Sequence, residues 1–198
     1  MLDRKIFHLI LVLTFSADQN ILFENFGLAN LNRKSAYLVQ CELPCYMTGK
    51  TPLPKDVIPP KDVTCLDTKI FLDIPDVTID GKKYSEIDFK TQAKDLTPAG
   101  YALATFTAGG DNTAESLGTA NKLYTAVNAA LRDRGNRSIL YQLKVVDFFI
   151  GSQIAATQGA EGKKKLIRNL NKTIKNCGRC TTEERQKFQD MLTKAEAL

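Results

Sequence analysis

The stretch GAEGKKKLIRNLNKTIKNCGRCTTEERQKF, from Gly159 to Phe188, has helical spacing on both sides of a Cys-x-x-Cys pair. Leu166, Leu170 and Ile174 recur at intervals of four residues. This spacing puts them on one face and predicts an amphipathic helix that reaches Cys177. The segment is therefore predicted to form two helices joined by a tight corner.

The corner between these helices contains the cysteine pair. Thr181 with Glu184 three residues later matches a capping box, so the second helix is predicted to begin just after Cys180. Two cysteines three residues apart in a tight turn are within reach of a disulfide, so Cys177 and Cys180 are predicted to bridge. A redox centre is the alternative, although such a pair normally lies where a strand enters a helix.

Seven cations lie along the first of these helices and its corner with no acidic residue among them. The whole chain carries a formal net charge of +5, so the remaining chain is net acidic and the positive charge is local. The pattern predicts a solvated helix face or a contact for an anionic surface. Nucleic acid is not a predicted partner, because no aromatic residue is interleaved for base stacking. The predicted basic patch consists of Lys163, Lys164, Lys165, Lys172, Lys175, Arg168 and Arg179.

Three further helices are predicted upstream. Thr97 precedes a proline and predicts the start of a short helix. Asn112 with Glu115 resembles a capping arrangement, and the helix that it starts is predicted to end at Gly135. Apolar residues at helical spacing predict another helix over residues 138–156.

Residues 63–89 have a shorter period and many β-branched and aromatic residues. Asp80-Gly81 between apolar segments predicts a β-hairpin turn, because both positions must take positive φ. Pro75 confines its strand to an edge or places it at a strand start. The residues predicted to share this small sheet are Val77, Ile79 and Tyr84.

The predicted fold class is α+β. A mainly helical C-terminal bundle occupies residues 97–198, and a small antiparallel β-hairpin lies in a disulfide-held N-terminal half. The predicted organisation is a signal peptide over residues 1–17, a loop-rich extension with the hairpin over residues 18–95, and a helical domain over residues 96–198.

The first residues have the layout of a secretory signal peptide. A short charged start precedes an apolar run over Ile6–Phe15, with small residues at Ser16 and Ala17. The run is shorter than a membrane span of roughly 20 residues, so the chain is predicted to be extracellular without a transmembrane segment. The one histidine, His8, would be removed with the signal. Histidine-based catalysis and histidine-ligated metals are then excluded, and no enzyme activity, cofactor or metal is predicted.

Five cysteines follow the predicted signal, and secretion favours their pairing as disulfides. The pairing of Cys41, Cys45 and Cys65 stays open, because one of the three is left over if they pair among themselves. The leftover thiol is either buried or pairs with another chain. A zinc site built from Cys41, Cys45, Cys177 and Cys180 is the alternative, and it requires a reducing compartment.

Two sequons fit the N-glycosylation pattern. Asn136 lies in a predicted loop and is the better acceptor. Asn171 lies on the polar side of a predicted helix. A glycoprotein is therefore predicted.

The apolar faces of the predicted helices supply the candidate ligand site. They pack into a filled core or leave a pocket for a lipophilic molecule. The leading prediction is a secreted, non-enzymatic binding protein for a small hydrophobic ligand. The alternative is a secreted effector or inhibitor that binds another protein, for example one of the host, through the basic helix. The candidate ligand-binding residues are Leu143, Val146, Phe149, Ile150, Leu166, Leu170 and Ile174.

Residues 160–188 resemble the third and fourth helices of insect chemosensory proteins. Glu161-Gly162-Lys163 leads to the Cys-x-x-Cys pair at the interval found in that family, and residues 139–154 resemble its earlier apolar helices. The resemblance implies a small helical carrier of hydrophobic ligands with a local disulfide. The other cysteine pair of that family would fall near Gly151 and Gln158 and is missing.

The order of Gly109-Gly110, a helix and the segment YQLKVVDFFIGSQIAAT is similar to that of the cystatins. This resemblance implies a strand over residues 141–157 and inhibition of another protein through a wedge near Gln153. The central valine and final glycine of that wedge are missing from the chain.

Overall fold

A computed structural model of the chain describes residues 43–55, 57–71 and 73–198. The predicted signal peptide and Cys41 lie outside the described residues. We number the described elements in chain order. The strands are β1 (Thr64–Ile70), β2 (Ile74–Ile79) and β3 (Lys82–Lys83), and the helices are α1 (Phe89–Gln92), α2 (Pro98–Thr105), α3 (Ala114–Asp133), α4 (Arg137–Thr157), α5 (Lys163–Asn176) and α6 (Thr182–Glu196).

The three strands form an antiparallel sheet in the order β1-β2-β3. Asp80 and Gly81 turn the chain between β2 and β3 with φ of 49° and 79°, as the hairpin prediction requires. Pro75 is the second residue of β2, the central strand. The strand β3 pairs only with Thr78 and Ile79, so no partner on that side needs the N–H group that proline lacks.

Tyr84 lies outside the sheet, so the prediction that it shares the sheet is wrong. It begins a short 3-10 turn, Tyr84–Glu86. The Asp76 carboxylate accepts hydrogen bonds from the Ser85 backbone N–H at 3.1 Å and from the Ser85 hydroxyl at 2.6 Å. These bonds take the chain off the ladder after two residues of β3, and the buried Tyr84 ring contacts that of Tyr124 with 5.1 Å between centroids.

Two predicted helix starts are confirmed. The Thr97 hydroxyl accepts a hydrogen bond from the Gly100 N–H at 2.9 Å at the start of α2. Thr181 and Glu184 form the reciprocal capping box at the start of α6. Such caps satisfy N–H groups that the first turn of a helix leaves without partners.

The start of α3 differs from its prediction by one residue. Thr113 is the N-cap, and its hydroxyl accepts from the Ser116 N–H at 3.2 Å. Asn112 instead donates from its side-chain amide to the carbonyls of Thr105 and Thr107, each at 2.9 Å. Asn112 therefore satisfies carbonyl groups at the end of α2 and just after it, and the Thr113 hydroxyl caps the start of α3.

The sheet and the helices share one hydrophobic core. Ile74 and Val77 of β2 pack against α3, and Tyr124 of α3 donates a hydrogen bond to the Ile87 carbonyl at 2.7 Å. The described residues between 43 and 198 belong to one compact unit. The division into an extension and a helical domain at residues 95 and 96 stays a prediction.

The segment before β1 is tied to the rest by a disulfide and a buried carboxylate. Cys45 is bonded to Cys65 of β1, with a Cα–Cα distance of 6.0 Å. Asp133, at the end of α3, accepts hydrogen bonds from the Thr48 backbone N–H, from the Thr48 hydroxyl at 2.7 Å and from the Thr51 N–H at 3.1 Å. Burial raises the pKa of Asp133, but these hydrogen bonds outweigh it and leave the pKa below its usual range.

The helices α4 and α5 meet at a glycine. A Cβ placed on Gly162 would lie 1.9 Å from the Ala155 carbonyl oxygen, far inside van der Waals contact. Only glycine lets the chain after α4 return this closely. A small second cluster joins the three helices and consists of Ala155 of α4, Leu166 and Leu170 of α5, and Ala195 of α6.

Candidate functional site

The seven predicted ligand-binding residues are packed into the interior. Leu143, Val146, Phe149 and Ile150 are fully buried in the main core, and Ile174 is half-buried against it. Leu166 and Leu170 belong to the second cluster. None of the seven lines either of the two clefts described below, so the filled-core interpretation fits them better than the pocket interpretation.

The seven predicted basic residues do not all share one setting. Lys163 donates to the Glu196 carbonyl at 2.9 Å at the end of α6, and Lys164 is exposed. The other five divide between two clefts on α4 and α5. Lys175 and Arg179 line the first, and the second is lined by Lys165, Arg168 and Lys172.

The first cleft, which we call the corner cleft, lies where the start of α4 meets the disulfide corner after α5. Its volume is about 570 Å³. Its walls are apolar or aliphatic side chains together with a few polar groups. The lining residues are Pro98, Ala99, Ser138, Tyr141, Gln142, Val145, Lys175, Asn176, Gly178, Arg179 and Cys180.

The disulfide fixes one wall of the corner cleft. Cys177 and Cys180 are bonded, with a Cα–Cα distance of 5.2 Å. Arg185 of α6 donates to the Cys177 carbonyl and, at 3.4 Å, to the Ile174 carbonyl. These contacts satisfy carbonyls at the end of α5 and hold α6 against the corner.

A carboxylate fixes the opposite wall. Glu184 accepts hydrogen bonds from the Thr97 hydroxyl at 2.6 Å and from the Thr181 N–H at 2.8 Å. A Cβ on Gly100 would lie 2.6 Å from an oxygen of the same carboxylate. Glycine at this position therefore leaves room for the Glu184 side chain. The starts of α2 and α6 are thereby held together beside the cleft.

Tyr141 gives the corner cleft an exposed aromatic surface. Its side chain is 54% exposed, and the Lys144 ammonium lies 5.1 Å from its ring centroid. Lys175 and Arg179 add two cations to the lining. Tyr141 is absent from the predicted ligand-binding residues because it lies off the apolar stripe of α4. An aromatic residue on the polar side of a helix was the available signal.

The second cleft, which we call the polar cleft, lies between α3, α4 and α5. Its volume is about 230 Å³. Amide, carboxylate and cationic side chains make up most of its lining. The lining residues are Val57, Asn121, Thr125, Asn128, Arg132, Asp147, Phe148, Gly151, Ile154, Lys165, Arg168, Asn169 and Lys172.

Asp147 is the buried carboxylate of the polar cleft. It accepts hydrogen bonds from the side-chain amides of Asn128 at 2.8 Å and Asn121 at 3.2 Å. Burial raises the pKa of Asp147 to about 6. The Asn128 hydrogen bond opposes this shift, as do the charges of Arg132, Lys172 and Lys144. A perturbed carboxyl group inside a cleft is a recognised mark of a functional site.

Asp147, Asn121 and Asn128 are not among the predicted site residues. The available signal was an aspartate inside the apolar run from Val145 to Ile150, since a charge there must be buried with partners. Asn128 stands in the same way within the apolar end of α3. Which partners meet depends on how α3 and α4 pack.

The two disulfides decide between the alternatives for the cysteines. The zinc alternative needs Cys45 beside Cys177 and Cys180, but Cys45 is bonded to Cys65. The Cys-x-x-Cys pair lies between two helices instead of at a strand end, which is the setting expected of a structural clip.

The two sequons occupy different settings. Asn136 is the half-buried N-cap of α4, and its side-chain oxygen accepts from the Ile139 N–H at 3.5 Å. Asn171 is exposed on α5 and donates to the Ile167 carbonyl at 3.0 Å. Glycosylation at either site stays a prediction.

Within the described part of the chain, α4 is the one helix that is long and apolar enough to cross a membrane by length and composition. Of its most apolar window, 61% is buried in this fold. The central helix of a globular protein passes the same test, so the feature is weak evidence for a membrane span.

The described residues thus define a mainly helical α+β protein with two disulfides, in which α4 and α5 border both the corner cleft and the polar cleft. A family model described as a domain of unknown function, DUF7143, matches residues 47–196, and the chain belongs to this family. No curated protein and no solved structure matches the chain.

The two resemblances stated from the sequence stay untested by these comparisons. The local disulfide that the chemosensory resemblance implies is present. The strand that the cystatin resemblance implies over residues 141–157 is helix α4.

Proposed function

We propose that the protein is a non-enzymatic binding protein for a small amphipathic molecule, with an apolar body and an anionic group, and that the corner cleft holds it. The observation that carries this proposal is the exposed Tyr141 ring in a cleft of about 570 Å³ that also contains Lys175 and Arg179. Ligand sites are typically clefts of roughly 300–1,000 Å³ with apolar walls and a few placed polar groups.

The division of chemistry within the cleft supports the amphipathic class. Tyr141, Val145 and Pro98 offer apolar surface, while the two cations can pair with a carboxylate or a sulfonate. A ligand without charge would leave these cations unused. The hydrophobic ligand expected from the sequence is thus moved from the filled core to the corner cleft, and given an acidic group.

The two disulfides support an extracellular setting for this activity, because such bridges persist in oxidising compartments. The predicted signal peptide would supply the route. Secretion is part of the proposal and is tested by the mass of the exported chain, since removal of residues 1–17 and both disulfides would be seen in one spectrum before and after reduction.

Binding is tested by fluorescence titration with 1-anilinonaphthalene-8-sulfonate, an aromatic sulfonate of this class. We expect saturable enhancement with the native chain, and at least tenfold weaker binding by Tyr141→Ser. Leu198→Ser is the matched control, because Leu198 is 72% exposed and lies outside both clefts. Neither substitution removes a buried side chain, so both variants should keep the native stability.

Decanoate, which is not fluorescent, should displace the probe, and decanol should do so more weakly because it lacks the charge. Equal binding by Tyr141→Ser and Leu198→Ser would overturn the proposal. Equal displacement by decanoate and decanol would remove the role given to Lys175 and Arg179.

A second proposal keeps the alternative from the sequence, a secreted effector or inhibitor that grips an acidic protein surface. It is supported by three exposed cations, Lys164, Arg168 and Lys175, at spacings of four and seven residues along α5. This spacing puts them on one side of the helix. Lys164→Glu should then abolish capture of an acidic partner and leave binding of the fluorescent probe unchanged.

A further inference from the structure

The polar cleft differs from the corner cleft in every lining residue. It lies further along α4 and earlier along α5, and α3 forms its third wall. The proposed function of the corner cleft makes no use of it. Its chemistry therefore needs an explanation of its own.

Directed amides surround the buried carboxylate in this cleft. The Arg132 guanidinium donates from Nε to the Asn128 side-chain oxygen at 2.7 Å, and the Asn128 amide then donates to Asp147. Asn121, about two turns before Asn128 on α3, donates to the same carboxylate. In this series of hydrogen bonds, Arg132 orients the amide of Asn128, and Asn128 in turn orients the carboxylate of Asp147.

A third amide is admitted by a glycine. A Cβ on Gly151 would lie 2.8 Å from Nδ2 of Asn169 and 4.0 Å from Nδ2 of Asn121. The absence of a side chain at position 151 therefore leaves room for both amides beside the cleft. Thr125 adds a hydroxyl to the lining. Amides, hydroxyls and a carboxylate offer paired donors and acceptors, which is what a ligand with several hydroxyl groups requires.

Cations outnumber the carboxylate in the lining. Arg132 comes from α3, and Lys165, Arg168 and Lys172 come from α5. The Lys172 ammonium also lies 4.8 Å from the Phe148 ring centroid. A concave site with an excess of one sign of charge attracts ligands of the opposite sign.

We propose that the polar cleft binds a sugar acid, a single sugar ring that carries a carboxylate or sulfate group. The cleft volume of about 230 Å³ fits one ring. The amides and Asp147 hydrogen-bond the ring hydroxyls, the α5 cations pair with the acid, and Phe148 offers apolar surface to the ring. Free sugar acids and the ends of acidic polysaccharides share this chemistry.

Binding in this cleft is expected to depend on pH. An anionic ligand and an ionised Asp147 repel each other, so a neutral Asp147 favours the complex. The cations whose charges act on Asp147 are Arg132 of α3, Lys144 of α4 and Lys172 of α5. Lys165 and Arg168 of α5 line the same cleft, and Asp147 is the one carboxylate in its described lining.

Isothermal titration calorimetry with galacturonate at pH 5 is the direct test. We expect galacturonate to bind at least tenfold more tightly than galactose, which lacks the acid, and than sulfate, which lacks the ring. Lys165→Gln combined with Arg168→Gln should weaken binding at least tenfold. Lys187→Gln combined with Lys194→Gln is the matched control, because both lysines are exposed on α6 and lie outside both clefts.

Two further arms sharpen the result. Asp147→Asn should make galacturonate affinity equal at pH 5 and pH 8, whereas the native chain should bind at least fivefold more weakly at pH 8. Tetragalacturonate that binds tenfold more tightly than the monomer assigns the ligand to the end of an acidic polysaccharide, and equal affinity assigns it to the free sugar acid.

The proposal is overturned if galacturonate, galactose and sulfate bind equally or fail to bind. It is also overturned if the Lys187 and Lys194 control weakens binding as much as the Lys165 and Arg168 variant does, since the effect would then be one of net charge. Thermal unfolding of each variant shows whether a loss of binding reflects the cleft or the fold.

Discussion

The segment before β1 and the helices α4, α5 and α6 each involve a disulfide and a buried aspartate, but these groups have different roles in the two regions. In residues 43–62 the bridge from Cys45 and the bonds to Asp133 attach a chain with little regular structure of its own. Among the helices, continuous apolar packing supplies the attachment. There the Cys177 bridge shapes one wall of a cleft, and Asp147 lies inside another. Where apolar packing is enough to hold the elements together, a disulfide or a buried aspartate can form part of a cleft instead.

The largest expected effect tests the packing side of this comparison. Gly162→Ala should lower the free energy of unfolding by roughly 3 kcal/mol or more, because its methyl group would overlap the Ala155 carbonyl and α4 and α5 would have to separate. Urea unfolding followed by circular dichroism measures the change.

Gly118→Ala is the control for that substitution. Gly118 lies within α3 and has open space around its Cβ position, so alanine should raise stability by about 0.5–1 kcal/mol. Similar destabilisation by both changes would mean that α4 and α5 do not meet as described.

The two disulfides should differ when each is removed as a pair. Cys45→Ser with Cys65→Ser opens a sequence separation of 20 residues and should lower the free energy of unfolding by about 3 kcal/mol. Cys177→Ser with Cys180→Ser opens a separation of three and should lower it by about 1–2 kcal/mol. Urea unfolding of the two double variants makes the comparison, and a reversed order would contradict it.

The same two variants separate stability from site geometry. The Cys177 pair should weaken binding of the fluorescent sulfonate in the corner cleft, although it is the less destabilising change. The Cys45 pair should leave probe affinity unchanged below its unfolding temperature.

Asp147 should make stability fall as pH rises. Its pKa is raised to about 6 in the folded chain, against about 3.9 when unfolded. The unfolded state therefore ionises first, and folding stability falls between pH 4 and 6 by up to about 3 kcal/mol. Asp147→Asn should remove this dependence, so its stability relative to the native chain should improve over that range. Unfolding of both proteins measured from pH 4 to pH 7 tests this. If their difference in stability did not change with pH, Asp147 would have to be more accessible to solvent than described.

Asp133 should show the opposite sign and a smaller effect than Asp147. Its pKa is lowered in the folded chain, so its contribution to stability is present above pH 4 and is lost as pH falls through the folded pKa. Asp133→Asn should lower the free energy of unfolding at pH 7 by about 2 kcal/mol, because the amide cannot accept all three hydrogen bonds. The difference from the native chain should shrink below pH 4.

Much of the local structure could be predicted from the sequence, because it depends on neighbours in the chain. Thr97 and Thr181 specify their helix starts through hydroxyls within reach of the next turn. Asp80 and Gly81 specify the hairpin through backbone conformation. The disulfide corner follows from spacing alone. The error at Asn112 is of the same local kind, since Thr113 beside it offers an equally good cap.

The clefts could not be predicted, because they depend on contacts between residues far apart in the chain. Asn121 and Asp147 meet only once α3 and α4 have packed. The apolar stripe of α4 marks its core correctly, and for that reason it points away from Tyr141, which lies off the stripe. Periodicity identifies what is buried, while a site is built from what the packed core leaves at its margins.

The division of the α5 cations among a helix end, an open surface and two clefts has a consequence for other members of the family. Two members could carry equal positive charge on this helix and yet share neither of the two proposed binding sites. The informative trait is the position of each cation within the turn, so relatives are best compared by which side of α5 keeps its lysines and arginines.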